Sequence, residues 1–439
     1  MSIELITILM FCSFLLLIAL GLPICFSLGT VGVIAAYFLW GIDGLRIAVV
    51  SPYDKAFSFV MVAIPMFVLM ANMLEQSGLA DALYSTMYAW MGSLKGGLAV
   101  GTVIICTLFA AMSGISAAAT VTMGLIALPS MFKRGYNKQL VMGSIMAGGA
   151  LGILIPPSVI MVIYGLLASE SVGRLFAGGV IPGLILSALF NLYIIIICKI
   201  KPHLGPVLPS QERPNFRKKI ILLREVIFPL LLITVVLGSI FSGAASPSEA
   251  AAIGALGSIV CAAIYRRLTW KNLGTAVYRT FSTTGMILWI AFGAGTFTSV
   301  FQALGAPDLI RGMITALPVT PLMIVFFMMF TYLILGCFLE PLAICLLTVP
   351  LYLPIIRALG YDGVWFGVLF TVNMEMSFLT PPVGLNLFYM KAIVPPEITM
   401  ADIYRSVGPF VALQAIGVTL VVLYPQLVLW LPNLLLGKG

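Results

Sequence analysis

Four short stretches interrupt apolar runs with glycine, proline and hydroxyl residues. They are Ser113-Gly114-Ile115-Ser116, Gly152-Ile153-Leu154-Ile155-Pro156-Pro157-Ser158, Gly336-Cys337-Phe338 and Ser377-Phe378-Leu379-Thr380-Pro381-Pro382. A helix that unwinds inside a bilayer exposes carbonyl oxygens and amide N–H groups that lipid cannot satisfy. It persists only where it lines a cavity or binds something. Carbonyl and hydroxyl oxygens suit a hard cation such as sodium. Free N–H groups at half-helix N-termini suit a carboxylate. An isolated membrane proline is usually a packing kink; these breaks come in pairs and recur. Gly152 aligns with Ser377 and Ile155 with Thr380, so each half of the chain offers one cation site. Thr380 would bring a hydroxyl, the others mainly backbone oxygens.

Two acids, Glu340 and Glu375, lie inside apolar stretches, where an unpaired charge is costly. Their counterparts in the first half are Ile115 and Ala150, so they stand outside the repeated pattern. Three roles remain open: carrying protons, biasing a cation site, or pairing with a neighbouring subunit. Ser116, Glu340 and Glu375 are the candidate substrate or coupling residues. Asp81 and Asp308 each follow a glycine and read as helix starts. Glu75 and Glu249 lie near segment ends, and Trp40, Trp270 and Trp430 read as interfacial anchors.

Other chemistry has little to be built from. His203 is the only histidine and sits in a polar loop, so a His-based metal site or catalytic triad is not expected. The seven cysteines lie mostly in apolar runs with no C-x-x-C and read as small buried residues. G-x-S-x-G, G-x-G-D and a P-loop are absent. The sequence therefore predicts no enzyme, no catalytic residue and no covalent cofactor.

The elements that must position these residues are membrane helices. Hydrophobic residues make up 61% of the 439 and charged residues 9%, against about 25% charged in a soluble domain. The bilayer is the solvent, and the spans must be helices or a closed barrel. Runs such as Leu5 to Leu20 and Val226 to Ile240 lack strand alternation, so helices win. The net charge of +8 resides in short loops and reflects the positive-inside rule rather than nucleic-acid binding. The start, Met1-Ser2-Ile3-Glu4, lacks a basic n-region, so no removable signal is expected.

Landmarks recur about 225 residues apart: Pro23 and Pro247, Gly78 and Gly305, Pro129 and Pro354, Tyr136 and Tyr361, Pro156 and Pro381, Pro182 and Pro409. This predicts a first repeat over 1–215 and a second over 226–439, joined by a basic cytoplasmic linker over 199–225. Within the first, a loop is expected over 40–56 and a re-entrant hairpin at about 57–76, interrupted by Pro65. Another break is expected at Gly293-Ala294-Gly295. The basic bias of matching loops swaps between the repeats: Lys133, Arg134 and Lys138 face only Asp362, with Arg357 just before it. That predicts inverted repeats with the N-terminus outside.

The stretches Ala63-Ile64-Pro65-Met66-Phe67, Ser77-Gly78-Leu79-Ala80, Met112-Ser113-Gly114, Ala117-Ala118-Ala119-Thr120, Gly152 to Pro157 and Phe378-Leu379-Thr380-Pro381-Pro382-Val383-Gly384-Leu385-Asn386 carry a resemblance. The chain resembles the large membrane subunit of TRAP (tripartite ATP-independent periplasmic) transporters, within the ion transporter superfamily. The resemblance implies an all-α polytopic protein of the bacterial inner membrane, with two inverted repeats, re-entrant hairpins, and a scaffold plus an elevator-type transport domain. It implies sodium as coupling ion. The implied partners are a separate small membrane subunit of about four helices and a periplasmic binding protein. That protein would deliver an organic acid such as a C4-dicarboxylate, a sialic acid or a 2-oxo acid. It implies one sodium site from Ser113, Ile115, Gly152, Leu154 and Pro157, and another from Gly336, Ser377, Thr380 and Val383. Ile115 and Val383 can give only main-chain atoms, and Ser377 stands where the family pattern carries glycine. The rival readings are a stand-alone sodium- or proton-coupled anion transporter of the same superfamily, an intramembrane enzyme, and a passive channel.

Overall fold

A computed structural model describes residues 2–56, 58–315 and 318–437. These are helical throughout, with no strand among the described residues. Eight of the described helices are long and apolar enough to cross a membrane. Large apolar side chains such as Phe38, Phe281 and Phe327 lie exposed, as expected where lipid covers them.

In the first half, α1 (Ile3–Ala19), α2 (Ile24–Ala56) and α3 (Ala63–Gln76) precede a short α4 (Leu79–Met91). Then come α5 (Gly97–Ser113), α6 (Ser116–Phe132), α7 (Lys138–Ala150), α8 (Val159–Ala168) and α9 (Val172–Ile200). The connecting segment carries α10 (Phe216–Leu222). The second half replays the order with α11 (Arg224–Phe241), α12 (Pro247–Ile264), α13 (Trp270–Ala303), α14 (Ala306–Thr315), α15 (Pro321–Gly336), α16 (Pro341–Ala358), α17 (Gly363–Leu379), α18 (Leu385–Ile393) and α19 (Met400–Leu423). It ends with α20 (Gln426–Leu436).

Helix starts are written locally. Asn137 accepts from the N–H groups of Gln139 and Leu140 to begin α7. Capping boxes Ser246/Glu249 and Thr399/Asp402 begin α12 and α19, each satisfying two orphan donors.

Three expectations are corrected. The segment about 57–76 is no hairpin: a 3-10 turn, Phe59–Val62, runs straight into α3; residue 57 lies outside the described residues. Pro65 falls in the first turn of α3, where its missing N–H breaks no helical bond. The expected loop over 40–56 is helical and belongs to α2, which bends at Gly41 (φ 63°, ψ −143°). The expected break at Gly293-Ala294-Gly295 is absent, since α13 passes through it unbroken. A Cβ on Gly293 would stand 2.1 Å from the Cys25 carbonyl oxygen, and one on Gly295 3.1 Å from Pro52 Cβ. These glycines let α2 lie against α13.

The re-entrant hairpins are α5–α6 and α15–α16. Each arm of the first has 17 residues, about 25 Å, short of a hydrocarbon core of about 30 Å. Both its open ends meet one strip of the linker: the Gly96 N–H donates to the Gly205 carbonyl and the Asn137 N–H to the Leu204 carbonyl, each at 2.9 Å. In the second, Thr348 Oγ1 donates to the Tyr332 hydroxyl at 3.1 Å, and Thr331 and Tyr352 hydroxyls pair at 2.8 Å. Its base lies beside the start of α9, where Arg357 binds Glu170 at 2.7 Å and Tyr164 donates to the Gly363 carbonyl. The base of the first lies beside the end of α9. The 29 residues of α9 separate the two bases by about 40 Å, so the hairpins enter from opposite faces.

Helix pairing repeats this inversion. α2 packs along α13, and α3 along α12, two contacts exchanged by swapping the halves. α6 packs on α18 and α16 on α8 in the same way. Even the ion pairs correspond, with Lys138–Asp402 at 2.7 Å on the linker face and Arg174–Asp362 at 4.0 Å on the other.

Candidate functional site

The hairpin tips and the two broken helices meet near the middle of the fold. In the first half, Gly114 takes the left-handed region (φ 64°), which ends α5 and lets α6 restart at Ser116. α7 passes through a 3-10 turn, Leu151–Ile153, and the chain resumes as α8 only at Val159. The two breaks are in contact. A Cβ on Gly114 would be 2.4 Å from the Pro157 carbonyl oxygen, and one on Gly152 3.2 Å from the Ile115 carbonyl. A side chain at 114 would push the tip away, so glycine there is steric as well as conformational, while at 152 the fit is close. Ile115, Gly152 and Pro157 thereby lie at the contact between the breaks; Ser113 adjoins it along the chain, while the Leu154 carbonyl oxygen would stand 2.5 Å from a Cβ on Gly179 of α9. The Ser113 hydroxyl is buried without a hydrogen-bond partner, as is that of Thr120 one turn into α6. An orphaned buried hydroxyl beside a helix break fits a small hard cation.

In the second half, α15 ends at Gly336 and α16 starts at Pro341, while α17 ends at Leu379 and α18 starts at Leu385. A Cβ on Gly336 would stand 2.4 Å from Ser377 Cβ, and Cys337 Sγ lies 3.7 Å from the Pro381 carbonyl oxygen. The Ser377 hydroxyl donates to the Asn373 carbonyl at 3.0 Å and Thr380 Oγ1 to the Met376 carbonyl at 2.7 Å. Both donations leave oxygen lone pairs free for a cation. Gly336 and Ser377 touch, and Thr380 and Val383 follow on the same break. The Pro156-Pro157 and Pro381-Pro382 peptides are both cis.

A cavity of about 620 Å³, counting its open mouth, lies between the halves. The first turns of four helices line it: Ser116 and Ala117 of α6, Val159 and Ile160 of α8, Pro341 and Leu342 of α16, and Leu385 of α18. Helix N-termini carry partial positive charge and unpaired N–H groups. No lysine, arginine or histidine lines it among the described residues, and its one carboxylate is Glu340. Hydroxyls of Thr283 and Tyr389 complete the polar lining.

The other candidates separate. Ser116 is on the wall, and its hydroxyl donates to Asn386 Oδ1 at 3.0 Å, while Asn386 Nδ2 reaches the Met146 carbonyl at 3.4 Å. This buried bridge ties the first hairpin to the second broken helix. Glu375 is absent from the cavity lining; it is fully buried in α17 and neither oxygen has a hydrogen-bond partner. Sequence reasoning passed over Asn386, Tyr389 and Thr283. Asn386 closes the stretch that begins at Phe378, and an amide amid apolar residues was its signal.

Comparison with known proteins identifies the family of the chain. The family described as "Tripartite ATP-independent periplasmic transporter, DctM component" matches residues 11–427. The C4-dicarboxylate TRAP transporter large permease protein DctM of Pseudomonas aeruginosa is 34% identical over 408 residues, covering 93% of this chain and 94% of that protein. The ectoine/5-hydroxyectoine TRAP transporter large permease protein UehC of Ruegeria pomeroyi is 31% identical over 385 residues, covering 86% and 87%. The sialic acid TRAP transporter large permease protein SiaM of Vibrio cholerae is 30% identical over 420 residues, covering 95% and 96%. Among solved structures, the YdaH transporter of Alcanivorax borkumensis superposes with a TM-score of 0.66 at 16% identity, covering 88% of this chain and 90% of that one; this likeness concerns the fold. Matched from Phe11 to Leu427 and across nearly the full length of its relatives, this multi-pass membrane chain belongs to the DctM family of TRAP transporter large permeases.

Proposed function

We propose that this chain is the large permease subunit of a sodium-coupled transporter that imports a small organic acid across a bacterial inner membrane. The observation that carries the reading is the cavity between the inverted halves, walled by four helix N-termini and both hairpin tips. The substrate carboxylate binds there against backbone N–H groups. Sodium ions bind behind the tips, one at Ser113, Ile115, Gly152, Leu154 and Pro157, the other at Gly336, Ser377, Thr380 and Val383. Ser116 and Glu340 contact or orient the substrate; Glu375, buried and unpartnered, is reserved for coupling. The linker 199–225 lies on the cytoplasmic side, in keeping with its Lys and Arg residues. A separate small membrane subunit and a periplasmic binding protein complete the transporter, and the substrate belongs with the C4-dicarboxylates, sialic acids and ectoines named for its relatives, or with the 2-oxo acids. The hairpins and broken helices move together as an elevator against a scaffold that includes α2, α3, α12 and α13.

The deciding experiment is uptake into proteoliposomes holding this chain and its two partners, with sodium and proton gradients imposed separately. Uptake driven by sodium alone supports the reading. Uptake driven equally by a proton gradient, or undiminished when the binding protein is left out, refutes it.

A further inference from the structure

We propose that a recess between the linker-face ends of α9 and α19 binds the headgroup of an anionic phospholipid. The recess is formed where the end of α9 runs into the linker beside the first turns of α19 and the start of α7. It encloses about 690 Å³, counting its mouth, and Asn137, Tyr193, Lys201, His203, Arg405 and Phe410 are among its walls. No carboxylate lines it. Lys201 and Arg405 are exposed and form no ion pair with a described acid. The nearest acid along α19, Asp402, is held by Lys138 at 2.7 Å and by its own capping box. Two cations therefore share one concave site with nothing of opposite charge in it.

The apolar side of the recess indicates what supplies that charge. Tyr193 and Phe410 meet edge to face at 5.4 Å. Leu192 and Ile196 stand beside Tyr193 on α9, and Ile416 lies about three turns beyond Arg405 on the same face of α19, all three exposed, so aliphatic side chains continue from the recess into the span. Basic side chains at the end of a span, with aromatics at the same level and bare aliphatics beyond, match a phosphate headgroup followed by its acyl chains. A soluble phosphate would satisfy the cations but leave the aliphatic track unexplained. The inference does not depend on what the central cavity carries.

The test uses the full chain in neutral detergent, titrated with phosphatidylglycerol or phosphatidylcholine and read by native mass spectrometry and thermal unfolding. Phosphatidylglycerol is expected to bind and raise the Tm, and phosphatidylcholine to do neither. Lys201→Gln with Arg405→Gln is expected to weaken phosphatidylglycerol binding about 30-fold, from about 1 kcal/mol per charge near an anionic surface; each single change should weaken it about 5-fold. Arg217→Gln with Lys218→Gln, on α10 outside the recess, should leave it unchanged. Equal binding by the recess variants, equal binding of phosphatidylcholine, or an equal Tm rise from inorganic phosphate would overturn the assignment.

Discussion

The contact between Gly336 and Ser377 allows a quantitative test of how the second hairpin seats on its broken helix. A methyl group at 336 would lie 2.4 Å from Ser377 Cβ and 2.6 Å from its Oγ, with Met374 Cε next at 3.5 Å. Carbon atoms in good contact sit about 3.5–4.0 Å apart, so Gly336→Ala must open the tip by about 1 Å. Overpacking of this kind costs about 1–3 kcal/mol, against a helix-propensity gain of up to about 1 kcal/mol for Ala over Gly. Ser377→Gly removes both offending atoms, leaving only the ordinary contact with Met374. It carries its own cost, the hydrogen bond to the Asn373 carbonyl at 3.0 Å, about 0.5–1.5 kcal/mol. A double-mutant cycle isolates the shared term. Gly336→Ala should lower the Tm in the wild-type background and be neutral or stabilising in the Ser377→Gly background. Sodium-driven uptake should follow the same order. Equal costs of Gly336→Ala in both backgrounds would refute the steric argument and with it the seating of this tip.

Three further outcomes follow from the same geometry. Ser113→Ala removes a buried hydroxyl without a partner, a group that costs about 1–3 kcal/mol to bury; the variant should match or exceed wild-type stability without sodium yet lose much of the sodium-induced Tm rise, and an unchanged rise would remove Ser113 from the site. Glu340→Gln should depress uptake while sodium still raises the Tm, because Glu340 lines the cavity and lies outside both cation clusters; wild-type uptake would exclude it. In the linker, hydrogen bonds from Tyr88 (2.7 Å) and Arg134 (2.9 Å) hold the Glu212 carboxyl below its ordinary range. The folded state then binds fewer protons than the unfolded one near the carboxylate range. The stability advantage of wild type over Glu212→Gln should therefore be present at pH 7 and disappear as pH falls through the lowered value, and a pH-independent advantage would contradict this.

The helix interruptions were legible because glycine, proline and hydroxyl residues cannot hide in an apolar run. What those interruptions do was legible only in part. Pro65 and Gly293-Ala294-Gly295 give the same local signal as Gly114 or Pro157. Their outcomes differ for tertiary reasons: Pro65 opens a helix, and Gly293 makes room for the backbone at Cys25. The hairpin over 97–132 was missed although its evidence was local. Two 17-residue arms around Ser113-Gly114 are each too short to span, and the polar residues Lys95 and Lys133 lie just outside them. The cavity lay beyond one-dimensional reading, since Ser116, Val159, Pro341 and Leu385 share no motif and meet only because the halves interlock.

That meeting bears on how the proposed anion site would work without a basic side chain. Four helix N-termini turn their partial positive charge and unpaired N–H groups toward the cavity. Backbone dipoles need no rotamer search, and they are fixed in direction by the helices that carry them. On the proposed reading the same tips that aim α6 and α16 at the substrate also supply oxygens to the cations. Ser113 and Ile115 flank Gly114, and Ser116 opens α6 on the cavity wall. A sodium ion that orders Ser113 to Ile115 then fixes where the N–H groups of Ser116 and Ala117 point. An empty cation site leaves that start free to relax away from the Pro157 carbonyl. Coupling in this picture passes through three or four consecutive residues at each tip. It requires no pathway across the fold, and inversion of the halves offers the same arrangement to each face of the membrane.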